Sequence, residues 1–159
     1  MLLIMTLSSA MAMAQDGKAS TVRKTFNRTT TVSTLIKADA QTVWDILTEA
    51  KAYPEWNSTI VSLTGDIAKG EKIELVSTLD PDRTFKLKVK ELVENEKLVW
   101  GDAMGQRTFT LEPTADGVIF TMTEKIGGFM FPLFANKIPS FDESFEAFAA
   151  DLKKTAESK

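Results

Sequence analysis

The sequence predicts an α+β fold, an antiparallel β-meander covered on one face by a single long C-terminal helix. Three observations lead there. Apolar and polar residues alternate with period two in successive runs between Lys72 and Ile126. Turn-forming residues separate those runs. Ile138, Phe141, Phe145, Phe148 and Leu152 then recur at spacings of three and four, the stripe of one amphipathic helix.

Residues 15–28 are polar and unpatterned and read as a partly ordered leader, with the domain proper over residues 29–157. Thr29 to Ile36, TTTVSTLI, is rich in β-branched residues and predicts a strand. Asp39 is placed to cap a short helix, AQTVWDILTEA, whose Val43, Trp44 and Leu47 share a face. A second helical turn is expected at Tyr53-Pro54-Glu55-Trp56, with proline at its start. The meander follows. Its inward-facing sets are Ile73, Leu75 and Ser77; Phe85, Leu87 and Val89; Leu98, Trp100 and Asp102; Arg107, Phe109 and Leu111; and Phe120, Met122 and Glu124. Lys86, Lys88 and Lys90 form an opposite, solvated face. Turns are expected at Thr64-Gly65-Asp66, Lys69-Gly70, Asp80-Pro81-Asp82, Glu94-Asn95-Glu96 and Ala115-Asp116-Gly117. Ser140-Phe141-Asp142-Glu143 matches a capping box ahead of the last helix.

Composition narrows the chemistry. The chain of 159 residues carries 19 basic and 22 acidic side chains, mixed along its length, for a net charge of −3. No basic block offers a footprint for nucleic acid. The sequence contains no histidine and no cysteine. Imidazole bases, thiol nucleophiles, disulfides and His- or Cys-ligated metals are thereby excluded, so neither a cofactor nor a metal is called for. Any catalysis would fall to carboxylates, lysine, tyrosine, arginine or water.

The first 14 residues, MLLIMTLSSAMAMA, run from apolar to small and end in an Ala12-Met13-Ala14 pattern. They are expected to act as a cleavable signal, cut after Ala14, for a periplasmic or secreted product. The apolar run is shorter than a membrane span, so stable insertion in a membrane is not expected.

Arg107 and Glu124 stand out among the inward-facing residues. If Leu111 faces Phe120 and Phe109 faces Met122, the same register sets Arg107 opposite Glu124 as a cross-strand ion pair. The pair could anchor a ligand carbonyl or carboxylate through Arg107 and accept a proton at Glu124, or it could be a self-satisfied salt bridge. A carboxylate held by a guanidinium is a poor base, which favours binding over catalysis.

The segments LIKADAQTVWDILTEAKAYPEWN, KLVWGDAMGQRTFTLEP and TMTEKIGGFMFPL occur in this order, and over about Thr29 to Ala156 the chain resembles the START-like (SRPBCC) superfamily. The likeness is to its polyketide cyclase/dehydrase and lipid transport branch. It implies a helix-grip fold, in which a curved sheet wraps the C-terminal helix and leaves an apolar cavity between them. In some family members the position of Arg107 is a histidine or another polar residue facing the ligand; here it is arginine, which counts against imidazole-dependent activity. On this reading the ligand-lining residues are Leu75, Phe85, Leu87, Val89, Leu98, Trp100, Arg107, Phe109, Phe120, Met122, Glu124, Phe129, Phe131, Phe134, Phe141 and Phe145. The run GGFMFPLF, Gly127 to Phe134, would gate one end of the cavity or pack as core. The implied partner is a small hydrophobic molecule, such as a lipid, an aromatic or a polyketide-like compound. Two readings compete with it: a cyclase or dehydratase using Glu124 and Arg107 as catalytic groups, and a protein-interaction module with a filled interior.

Overall fold

The β-branched run ahead of Ile36 and the alternating runs after Lys72 leave the backbone one economical solution, a shared ladder of hydrogen bonds. The computed structural model of the chain describes residues 16–159, so the expected signal segment, residues 1–14, lies outside the described residues. Eight strands form one antiparallel sheet: β1 (Asp16–Arg23), β2 (Asn27–Ile36), β3 (Ile60–Thr64), β4 (Lys72–Ser77), β5 (Asp80–Val93), β6 (Lys97–Gly101), β7 (Gly105–Thr114) and β8 (Gly117–Gly127). Their spatial order is β1-β2-β8-β7-β6-β5-β4-β3. Strands β3 to β8 are a meander, and β2 closes against β8. Helices α1 (Ala40–Thr48) and α2 (Tyr53–Trp56) therefore carry the chain from one side of the sheet to its far edge at β3. A short helix α3 (Phe131–Phe134) precedes the long helix α4 (Asp142–Glu157).

The sheet is curved, and its register shows where it bends. Register shifts interrupt the β3–β4, β4–β5 and β5–β6 pairings, and such irregularities kink and twist a strand pair. Helix α4 packs into the concave side against β1 and β2. The predicted α+β, helix-grip architecture is the observed one.

Several local expectations hold for the stated reasons. The Asp39 side chain accepts from the Thr42 amide at 2.7 Å and starts α1. Helix α1 buries Val43, Trp44, Ile46 and Leu47. The Tyr53 hydroxyl donates to the Leu47 carbonyl at 2.7 Å, and complete burial raises its pKa well above the ordinary tyrosine value, so it stays a neutral donor.

Four expectations need correction. The segment read as a leader contains β1, which pairs with β2 from Asp16↔Thr34 to Arg23↔Arg28. It is an exposed edge strand whose polar side chains face water, and that hides the pattern of a strand. Strand β3 (Ile60–Thr64) was missed because only Ile60 and Leu63 are buried in so short a run. The turn expected at Asp80-Pro81-Asp82 lies instead at Thr78 and Leu79. Between the pairs Leu75↔Phe85 and Ser77↔Asp80, residues 81–84 oppose the single residue Val76, so Pro81 sits in a bulge where its missing N–H leaves no ladder bond unmade. The capping box does not form. Helix α4 begins after Phe141, and Ser140 Oγ accepts from the Asp142 amide at 3.3 Å rather than from Glu143.

Phe148 is the hub of the core. Its ring lies 5.6 to 6.3 Å from those of Trp56, Phe109, Tyr53 and Phe120. It joins α4 to α2, β7 and β8 at once. We predict that Phe148→Ala lowers unfolding free energy by about 3–5 kcal/mol, measured by urea titration. A second prediction concerns acid. Glu146 is held below the usual carboxylate pKa by the Ala19 amide, and Glu157 by Lys153 and the Lys37 amide, so both tie α4 to the strands and their flanks. Folded pKa values below the unfolded ones mean that this stabilisation is complete above the unfolded carboxylate value of about 4.3 and is lost as pH falls through the folded values. Glu146→Gln should accordingly flatten the acid side of the stability-versus-pH curve, read from urea midpoints at neutral and acid pH.

Candidate functional site

Because α4 leans on β1 and β2, the opposite half of the concave sheet is left partly uncovered. A cavity of about 430 Å³ fills the gap between β4–β8 and the segment leading into α4. Leu75 from β4, Phe85 and Leu87 from β5 and Trp100 from β6 form one wall. Phe134, Ile138 and Phe141 form the facing wall. Rim residues Leu79 and Met104 are 41% and 47% exposed, so the cavity opens to solvent.

Arg107 and Glu124 supply the polar part of the inner wall. They are register partners on β7 and β8, and Arg107 Nε donates to Glu124 Oε2. Each side chain is only 17% exposed. The Arg107 guanidinium also lies 5.1 Å from the Phe145 ring centroid, a cation–π contact that fixes its plane. Among the described residues its terminal nitrogens make no other hydrogen bond, so they remain able to donate to a carboxylate or carbonyl in the cavity.

The facing wall is held by Arg28, a residue that sequence reasoning missed. Its guanidinium donates to the carbonyls of Ile138 (3.2 Å) and Pro139 (2.8 Å) and lies 4.6 Å from the Phe141 ring centroid. Partial burial lowers its pKa, opposed by the charges of Asp142 and Glu124. Arg28 sits on β2, far from this segment in sequence, and only the folded register brings the two together.

The structure divides the expected lining residues. Leu75, Phe85, Leu87, Trp100, Arg107, Glu124, Phe134 and Phe141 line the cavity. Val89, Leu98, Phe109, Phe120 and Met122 share their parity but are buried in the core and lie off the cavity wall. Phe145 is core as well and touches the site through Arg107 and through the stacked ring of Phe141, 5.9 Å away. Phe131 is buried against Phe134, with ring centroids 5.7 Å apart. Phe129 is 86% exposed and lines nothing. The run Gly127 to Phe134 thus splits three ways: Phe134 is wall, Phe131 is packing, and Phe129, Met130 and Leu133 face water. Ile126 was missed although it has Glu124's parity. Ile138, expected as the first residue of the helical stripe, lies instead with Pro139 in the irregular segment ahead of α4, where both line the cavity. Asp102 is on the rim, where Oδ1 accepts from the Met104 and Gly105 amides at 2.7 and 2.8 Å, so it serves the β6–β7 turn.

Fold and site together define a helix-grip protein with an internal, mostly apolar cavity. The model of the family described as polyketide cyclase / dehydrase and lipid transport matches residues 27–157, and the chain belongs to that family. Solved structures share its fold. A Nitrosomonas europaea protein, NE0264, superposes with a TM-score of 0.67 at 16% identity, covering 86% of this chain and 97% of its own. A Mesorhizobium loti protein, MLL2253, gives 0.65 at 20% identity, covering 83% and 98%. DynU16, from the dynemicin biosynthetic locus, gives 0.61 at 16% identity, covering 80% of this chain and 46% of its own. No curated protein matches the chain.

The geometry of the pair yields a prediction. In a double-mutant cycle of Arg107→Gln and Glu124→Gln, the coupling should favour the pair by roughly 0.5–3 kcal/mol, measured by urea denaturation. Either single variant should cost more than the double, because it strands one charge in the wall.

Proposed function

We infer that the protein binds a small amphipathic molecule, with an apolar body against Leu75, Phe85, Leu87 and Trp100 and a carboxylate or carbonyl on Arg107. The observation that carries this reading is an open cavity of about 430 Å³ whose apolar walls converge on a guanidinium with terminal donors to spare. Volumes of this order suit small-molecule sites, and burial of the apolar body supplies affinity at about 25 cal/mol per Å². The polar contact then selects the end that enters first. Lipid transport in the family description, and the biosynthetic setting of DynU16, are consistent with a ligand of this chemistry.

One observation favours a second reading, acid–base chemistry of the cyclase or dehydrase kind: Glu124 faces the cavity beside Arg107. The same geometry limits it, because the carboxylate is already engaged by the guanidinium. Turnover of a bound polyketide-like ligand that is abolished in Glu124→Gln would establish it.

The binding reading is tested with a long-chain fatty acid and its methyl ester, titrated against the protein with native mass spectrometry as readout. Both should form a one-to-one complex. Arg107→Gln should weaken the acid about tenfold and the ester less, since the acid loses an ion pair and the ester only a hydrogen bond to its carbonyl. Leu87→Trp, which fills the cavity, should abolish both. Failure of the wild-type protein to bind either molecule would remove the reading.

A further inference from the structure

The cavity mouth adjoins a cluster of large apolar side chains that the ligand site does not use. Phe129 is 86% exposed, Leu133 73%, Met130 55% and Phe26 51%. They belong to segments that meet at one end of the sheet: the β1–β2 turn and the stretch after β8, with Met104 of the β6–β7 turn alongside. Backbone bonds knit them together, from the Gly128 amide to the Phe26 carbonyl and from the Gly127 amide to the Met104 carbonyl, each at 2.9 Å. The Phe26 and Phe129 rings stack with centroids 6.5 Å apart. Gly128, at φ 134°, makes the bend that projects Phe129 outward, a conformation closed to side-chain-bearing residues.

Exposure of this much contiguous apolar surface marks a contact site, and the charges around it say for what. Arg23, Lys24 and Lys137 are exposed beside it, in a protein whose net charge is −3. The acidic group in the same loops, Asp102, is turned onto the amides of Met104 and Gly105. We propose that this end of the sheet docks on an anionic phospholipid bilayer, with Phe129 and Leu133 entering the headgroup–acyl boundary and Arg23, Lys24 and Lys137 facing the lipid phosphates. Met104 and Lys137 belong both to this surface and to the cavity rim, so a docked molecule holds its mouth toward the membrane. That last consequence rests on the ligand reading, whereas the docking does not.

The test is co-sedimentation with phosphatidylglycerol–phosphatidylcholine vesicles and with pure phosphatidylcholine vesicles. Wild-type protein should bind the anionic vesicles and release on raising salt. Phe129→Glu with Leu133→Glu should reduce partitioning at least about tenfold with unchanged thermal unfolding, since both side chains are exposed and neither lines the cavity. Fatty-acid binding in vesicle-free solution should persist in that variant, which separates failure of docking from failure of ligand binding. Absence of vesicle binding, equal binding to pure phosphatidylcholine, or a concentration-dependent dimer that the same substitutions dissociate would each overturn the proposal.

Discussion

The Phe148 cluster is the contact on which the rest of the structure depends. By locking α4 to α2, β7 and β8, it fixes how far the helix can settle into the curved sheet. Where the aromatic rings meet, the interior is filled. Toward the N-terminus of α4 the helix stands off from β4–β6, and the space between becomes the cavity. The cavity is thus the complement of the core: one aromatic hub decides both.

Curvature is the second determinant, and it is written into the strands as irregularity. A flat ladder would expose the concave face evenly, whereas the register shifts on β3, β4 and β5 draw that side of the sheet around the helix. The glycines at the β6–β7 corner allow a close return: a Cβ on Gly101 would stand 2.2 Å from the Gly105 carbonyl oxygen. The β7–β8 register sets Arg107 and Glu124 side by side near the mouth. Arg28 completes the arrangement from the other wall by holding the carbonyls of Ile138 and Pro139.

Charge and apolar surface are then divided between two tasks. Inside, the Arg107–Glu124 pair gives a largely hydrophobic chamber a polar patch on its inner wall. Outside, exposed phenylalanine, leucine and methionine lie among lysine and arginine at the rim. Met104 and Lys137 border both, which places the exposed surface beside the mouth of the chamber.

The sequence by itself determined strands β4 to β8 apart from the start of β5, the pairing of Arg107 with Glu124 and the family, because those follow from local alternation, from the length of one hairpin and from motifs in fixed order. It also determined what the chemistry excludes, since a chain without histidine or cysteine has few catalytic groups to offer. Only the tertiary structure decided which inward residues are wall and which are core. Phe85 and Phe109 look alike in a strand pattern, yet one faces the cavity and the other packs on Phe148, because parity reports the face of the sheet and not the position of the helix across it. The same limit hid β1 and Arg28: an edge strand has no buried face to reveal it, and a side chain that reaches more than a hundred residues along the chain leaves no local trace.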